Sequence, residues 1–191
     1  LSATVADAAQ DPVRVRASDG ITFRGDGWRA NLGGSFMMDF GDQVSGPGTS
    51  DDFVWRRVRP NLTLDLSPQW SARLEYEMGD IAPGFRNAWV QWRPKDRFSV
   101  RVGSQFAPFG LENTMSARDM PWIERSSVNA LTPAALIGAS FRTRGDRWTL
   151  SGGVYGNDIA DDDRRRYAGS SLIGRGTWVP VREDGWLWHV G

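Results

Sequence analysis

The 191-residue sequence contains no cysteine, one histidine and, at Lys95, one lysine. Without cysteine there is no disulfide framework and no thiolate metal site, and the redox compartment is left open. With His189 alone there is little material for a histidine-based triad or a multi-histidine metal centre. The chain also lacks any apolar run approaching 18 residues, so it carries no transmembrane helix. Its 23 basic residues balance 23 acidic ones, which excludes a nucleic-acid binder held by bulk charge. No acid pair, nucleophile or phosphate-cradling glycine loop stands out, so the sequence does not read as an enzyme and calls for no cofactor or metal.

What is present is arginine, which supplies nearly all the positive charge, together with 10 tryptophans and 22 glycines. The opening "LSATVADAAQ" has the small-residue character of a secretory cleavage region, and residues 1–11 read either as a signal-peptide remnant or as a disordered tail. Residues 12–191 read as part of one β domain. "PVRVRAS" and "ITFRG" form a hairpin around Ser18-Asp19-Gly20. Strands then follow over about 28–40, 53–66, 70–78, 85–93, 97–106, 136–144, 147–155 and 168–181, with a last one opening at Trp186. The connections alternate in length. Those at 67–69, 94–96, 145–146 and 182–185 are tight, whereas those at 41–52, 79–84, 107–135 and 156–167 are long. Short turns at one end and long loops at the other are the pattern of an up-and-down barrel in an outer membrane, with the long loops outside.

Strand parity divides the residues into two kinds. Ala72, Leu74, Tyr76 and Met78 oppose Ser71, Arg73, Glu75 and Glu77; Phe98, Val100 and Val102 oppose Ser99, Arg101, Gly103 and Gln105; Val58, Leu62, Leu64 and Leu66 oppose Arg57, Arg59, Asn61, Thr63 and Asp65. A soluble sandwich would bury the apolar face and a membrane barrel would turn it to lipid, so alternation alone fits both. Strands of nine or more residues favour the barrel. So do aromatics near strand ends, at Trp28, Phe40, Phe53, Trp55, Trp70, Phe85, Trp92, Phe98, Phe106, Trp148, Tyr155, Trp178 and Trp186, where interfacial girdles lie. The competing readings are a soluble, tryptophan-rich β-sandwich that binds glycans and a porin-like barrel acting as an adhesin or envelope anchor.

The strings "FVWRRVRPNLTLDLSPQWSARLEYEM", "FRNAWVQW", "FSVRVGSQFAPFGLENTMSARDMPWIERSSVNAL" and "RWTLSGGVYGNDIADDD" resemble, in order, the phosphate-selective porin O and P family of Gram-negative outer membranes. The resemblance implies an all-β, transmembrane, antiparallel up-and-down barrel. About eight or nine of an expected 16 strands would be present here, with a third loop folded inward over about 107–135. It implies passive diffusion of small anions such as phosphate or polyphosphate, contact with outer-membrane lipid and lipopolysaccharide, and a homotrimer without nucleic-acid partners. Paucity of lysine departs from the family and weakens a preference for phosphate in particular. Arg14, Arg16, Arg24 and Arg29 are the available replacements, with Arg14 expected outside the membrane span.

Two constellations would carry the selectivity. Arg57, Arg59, Arg73, Arg101 and Arg175 fall on lumen parity, a permanently charged row whose planar forks match phosphate oxygens. Arg56 matches the family's arginine pair, yet strict parity turns it to lipid unless it sits at headgroup level, snorkels or lies at a bulge. In the irregular stretch "FAPFGLENTMSARDMPWIERSSVN", Arg118 and Arg125 match basic positions of the family's constriction loop. Phe109, Leu111, Met115, Met120, Trp122 and Ile123 would pin that loop to the wall. The competing reading is that Arg118 with Asp119, and Arg125 with Glu124, form local salt bridges that merely hold the loop. Likewise Asp65, Glu75 and Glu77 would pair with wall arginines. The acidic run "NDIADDD" lacks EF-hand spacing and reads as a solvated loop.

Overall fold

The structure is a computed structural model that describes residues 12–16, 20–44, 49–79, 83–115, 122, 125–133, 135–156, 169–183 and 185–191. Ten strands form one antiparallel sheet in sequence order: β1 (Val13–Arg16), β2 (Gly20–Gly25), β3 (Trp28–Val44), β4 (Thr49–Asp65), β5 (Trp70–Glu77), β6 (Gly84–Lys95), β7 (Phe98–Phe106), β8 (Ala135–Arg144), β9 (Trp148–Tyr155) and β10 (Ser171–Trp178). The first hairpin joins the same sheet, which raises the strand number to ten. β1 and β10 do not pair with each other, so the sheet is open. Among the described residues helical structure is confined to one turn, α1 (Leu111–Thr114), and a 3-10 segment at Ser127–Leu131. No helix among the described residues is long and apolar enough to cross a membrane.

Several expected boundaries shift. The connection expected over 41–52 is largely strand, because β3 runs on to Val44 and pairs with Thr49 across residues outside the described set. β6 likewise continues through Pro94 to Lys95, so the tight turn is Asp96-Arg97 rather than 94–96. Pro94 is tolerated there because the ladder breaks its register between Trp92 and Lys95, where a missing N–H costs nothing. The strand expected over 168–181 shortens to Ser171–Trp178. Arg182–Glu183 (β11), expected in a turn, pairs with Trp186–Leu187 (β12) as a separate ribbon. The loop at 156–167 lies, apart from Gly156, outside the described residues.

Among the described residues there is no second layer and almost no apolar core. Among the described residues the buried apolar side chains are Ala107, Ala135 and Tyr155, while Arg56, Arg57, Glu77, Gln91, Ser104 and Gln105 are buried polar ones. Leu32, Phe36, Leu74, Val90, Val102, Leu150, Val154 and Leu172 lie exposed on the opposite face. A sandwich must bury its apolar face against a second sheet, so this inverted arrangement excludes that reading and suits a sheet whose outer solvent is lipid.

Aromatic residues mark the two ends of the apolar band. Trp28, Trp70, Trp92, Trp148 and Trp178 all stand at the short-turn end, with Trp70 opposite Trp92 and Trp148 opposite Trp178. Towards the other end, Phe36 meets Trp55 and Tyr76 meets Phe85, each pair edge to face with centroids 5.1 and 5.0 Å apart. From Trp28 to Phe36 the strand advances ~27 Å at extended rise, close to the apolar band of about 25 Å that such barrels present. Tyr155 is an exception to the expected girdle: it is 1% exposed and points to the polar face. Its ring lies across Gly138, where an added Cβ would come 2.8 Å from Tyr155 Cδ1 and 2.3 Å from the Val154 carbonyl oxygen.

Candidate functional site: an arginine-lined concave face

The polar face curls around a volume of about 1450 Å³ lined by residues from β1 through β9. Arg59, Arg73, Arg101 and Arg125 line it together, as do Asn31, Asn61, Glu75 and Gln91. Arg175 lies at the β10 edge opposite Ser151, on the same face but outside this volume. Arg14, expected outside the span, instead belongs to β1 and lines the same volume with Arg16, Arg24 and Arg29. The pairing of β1 onto β2 brings Arg14 opposite Thr22 within the wall.

Two bulges bring additional arginines onto this face. Between Met37↔Arg57 and Asp39↔Val54, β3 advances two residues while β4 advances three. The extra residue in β4 lets Arg56 and Arg57 share one face while Trp55 returns to the other, so Arg56 does not face lipid as strict parity requires. It is 6% exposed and donates from Nη1 to Asp39 Oδ2 at 3.0 Å. The second bulge lies between Glu75↔Asn87 and Tyr76↔Phe85, and it turns Arg86 to the concave face beside Asn87. Arg86 was not expected as a site residue, since an inserted residue reverses the parity on which that expectation rests. Its guanidinium lies 4.8 Å from the Phe106 ring centroid.

Carboxylates neutralise part of the row. Glu77, 3% exposed, takes Arg59 on Oε2 and the backbone N–H of Val58 and Gly79 on Oε1, at 3.0 and 3.2 Å. Arg73 Nη2 donates to Glu75 Oε2 at 2.5 Å, and Arg29 pairs with Asp65 at 2.6 Å. Arg57, Arg101, Arg125 and Arg175 have no carboxylate partner among the described residues. Arg57 is 9% exposed with Met37 Sδ 3.5 Å from its Nη1. Arg101 donates from Nε and Nη2 to Gln91 Oε1 at 3.3 and 2.8 Å.

The connection between β7 and β8 contributes Pro108, Asn113, Met115 and Arg125 to the lining and so folds into the concavity. Polar bonds hold its shape. Glu112 Oε2 accepts from Ser126 N and Oγ, both at 2.8 Å, and Asn113 Nδ2 donates to the Pro133 carbonyl at 3.1 Å. Arg125 donates from Nε to the Glu112 carbonyl at 3.0 Å and from Nη2 to the Met115 carbonyl at 3.1 Å. Backbone carbonyls orient the guanidinium without cancelling its charge, whereas a salt bridge would do both. Burial, followed by the like charge of Arg59, pulls the Arg125 pKa below the ordinary arginine value, and Glu112 opposes them. The apolar pins expected for the loop are not observed where they are described: Phe109 is 52% exposed, Trp122 68% and Met115 37%. Arg118, Asp119, Met120, Ile123 and Glu124 lie outside the described residues, as does the side chain of Leu111.

A family model described as phosphate-selective porin O and P matches residues 30–191. No curated protein matches the chain.

Proposed function

The chain belongs to the phosphate-selective porin O and P family, a family of channels in Gram-negative outer membranes rather than of enzymes, and from that premise we propose that it forms a passive outer-membrane pore for small phosphate-like anions, short polyphosphates included. The reading rests on one observation. On the inward face, Arg57, Arg101 and Arg125 are held by neutral groups rather than by carboxylates. They therefore keep a net positive field in a confined, polar space. Fixed charges of one sign select ions, and several separate stations let an anion move on rather than remain bound.

Arg56, Arg59 and Arg73 belong to the same path in this reading, but their acids discount their contribution. Arg118 would extend it along the loop, and Arg175 along the β10 edge. Arg86 joins the path on the same face, its charge discounted by Glu75, whose Oε1 lies 4.0 Å from its Nε. Lipid and lipopolysaccharide would cover the apolar convex face, and three copies would assemble as a trimer.

The test is the zero-current potential of the complete protein in a planar bilayer under a salt gradient, with phosphate titrated against a chloride current. An anion-sign potential and a saturable phosphate block are expected. A pore that prefers cations, or no conductance from protein that folds in detergent, refutes the proposal; the second outcome favours the envelope-anchor reading.

A further inference from the structure

The Arg101 guanidinium lies over the Trp89 indole, 4.0 Å from the ring centroid. In the β6–β7 ladder Trp89 stands opposite Gly103 and Gln91 opposite Arg101, so the ring and the guanidinium are diagonal neighbours on the concave face. Gly103 has φ 126° and no room for a side chain, because a Cβ there would come 2.8 Å from Trp89 Cα and 2.2 Å from the Ala88 carbonyl oxygen. The edge of the indole is also engaged. Its Nε1 donates to Asn87 Oδ1 at 3.2 Å, and Asn87 Nδ2 donates to Glu75 Oε1 at 3.3 Å, the carboxylate that neutralises Arg73.

One ring therefore contacts the Arg101 station directly and is linked, through Asn87 and Glu75, to the neutralised Arg73 station. Resting on the reading of this face as an anion path, we propose that Trp89 is a positioning residue for anion passage: its π face fixes Arg101 as a flat, uncompensated cation that receives compact oxyanions such as phosphate. A carboxylate would orient Arg101 equally well but would cancel its charge. The ring quadrupole attracts the cation without supplying a counter-charge. Gln91 completes the mounting by taking the Nε and Nη2 hydrogens on one neutral oxygen, which leaves Nη1 and the second Nη2 hydrogen for an anion. The Asn87 link is the secondary part of the arrangement, since it acts on the already neutralised Arg73–Glu75 pair.

The experiment uses the complete pore in planar bilayers and reads the phosphate concentration that half-blocks a chloride current. Trp89→Phe keeps an aromatic face and removes the indole N–H; it is expected to stay within about twofold of the parent. Trp89→Leu removes the face and is expected to raise the half-blocking concentration about three- to tenfold, the scale on which a partly desolvated cation–π contact acts. Added to Arg101→Gln, Trp89→Leu is expected to produce no further loss, because the ring acts through that guanidinium. Should the leucine variant not form pores, Trp89→Met removes the aromatic face with a closer volume. An unchanged block in a folded leucine or methionine pore, a phenylalanine variant as weak as leucine, or additive losses with Arg101→Gln would overturn the proposal. A parent pore without anion preference or phosphate block sinks both the pore reading and this inference. A selective parent with insensitive Trp89 variants sinks the inference alone.

Discussion

Arg125→Glu is the most informative perturbation of the inward loop. The side chain donates to two backbone carbonyls, at 3.0 and 3.1 Å, and lines the concave volume, so its charge is presented rather than neutralised. A unit charge and a monovalent anion 4 Å apart interact by about 1 kcal/mol even at the dielectric of water. Reversing the charge counts twice, about 2 kcal/mol, which corresponds to a roughly 30-fold fall in local anion occupancy. Screening does not remove this at 0.1 M salt, where the Debye length of about 10 Å exceeds the separation. The zero-current potential should therefore move from the anion sign towards zero or beyond it. Arg125→Lys, which keeps charge and donors, should move it little. The sharper control is Arg73→Gln with Glu75→Gln, which removes an arginine and its 2.5 Å partner together. It leaves the net charge unchanged, so selectivity should hold although a lumen arginine is gone. The reasoning fails if Arg125→Glu leaves the anion preference intact, or if the neutral double change abolishes it.

Three further outcomes are expected. Val102→Arg places a cation on the convex face of β7 at a position now 57% exposed; near the midplane it should cost about 2–4 kcal/mol in urea-dependent folding into vesicles, and parent-like stability would contradict the assignment of that face to lipid. Gly138→Val drives a Cβ to 2.3 Å from the Val154 carbonyl oxygen and 2.8 Å from the Tyr155 ring, a forced overpacking expected to lower stability by about 1–3 kcal/mol in the same assay. For orientation, Phe40→Cys on the long β3–β4 ribbon should react with an impermeant label on intact cells, whereas Asp146→Cys in the tight β8–β9 turn should react only after the outer membrane is opened; the reverse pattern would invert the topology.

Period-two alternation is a local property, and it was enough to determine strand positions and most faces. Leu74 and Val102 lie outward and Arg73 and Arg101 inward because successive side chains point to opposite sides of a pleated strand, whatever surrounds it. Turn residues placed the short connections at 67–69, 94–96 and 145–146 to within a residue or two, though not the one at 182–185, where Arg182–Glu183 is strand, and the ordered motifs pointed to the family. Three things depended on contacts between strands. One inserted residue reverses parity without altering composition, so only the β3–β4 and β5–β6 ladders show that Arg56 and Arg86 face inward. Whether an arginine is free or neutralised depends on cross-strand register, which joins Arg59 to Glu77, 18 positions away, and leaves Arg101 to Gln91 and Trp89. The loop is shaped by the half-buried Glu112, Asn113 and Arg125 reaching across it rather than by its exposed Phe109 and Trp122, because polar groups partly withdrawn from water gain by finding partners whereas an apolar side chain facing solvent meets no such requirement.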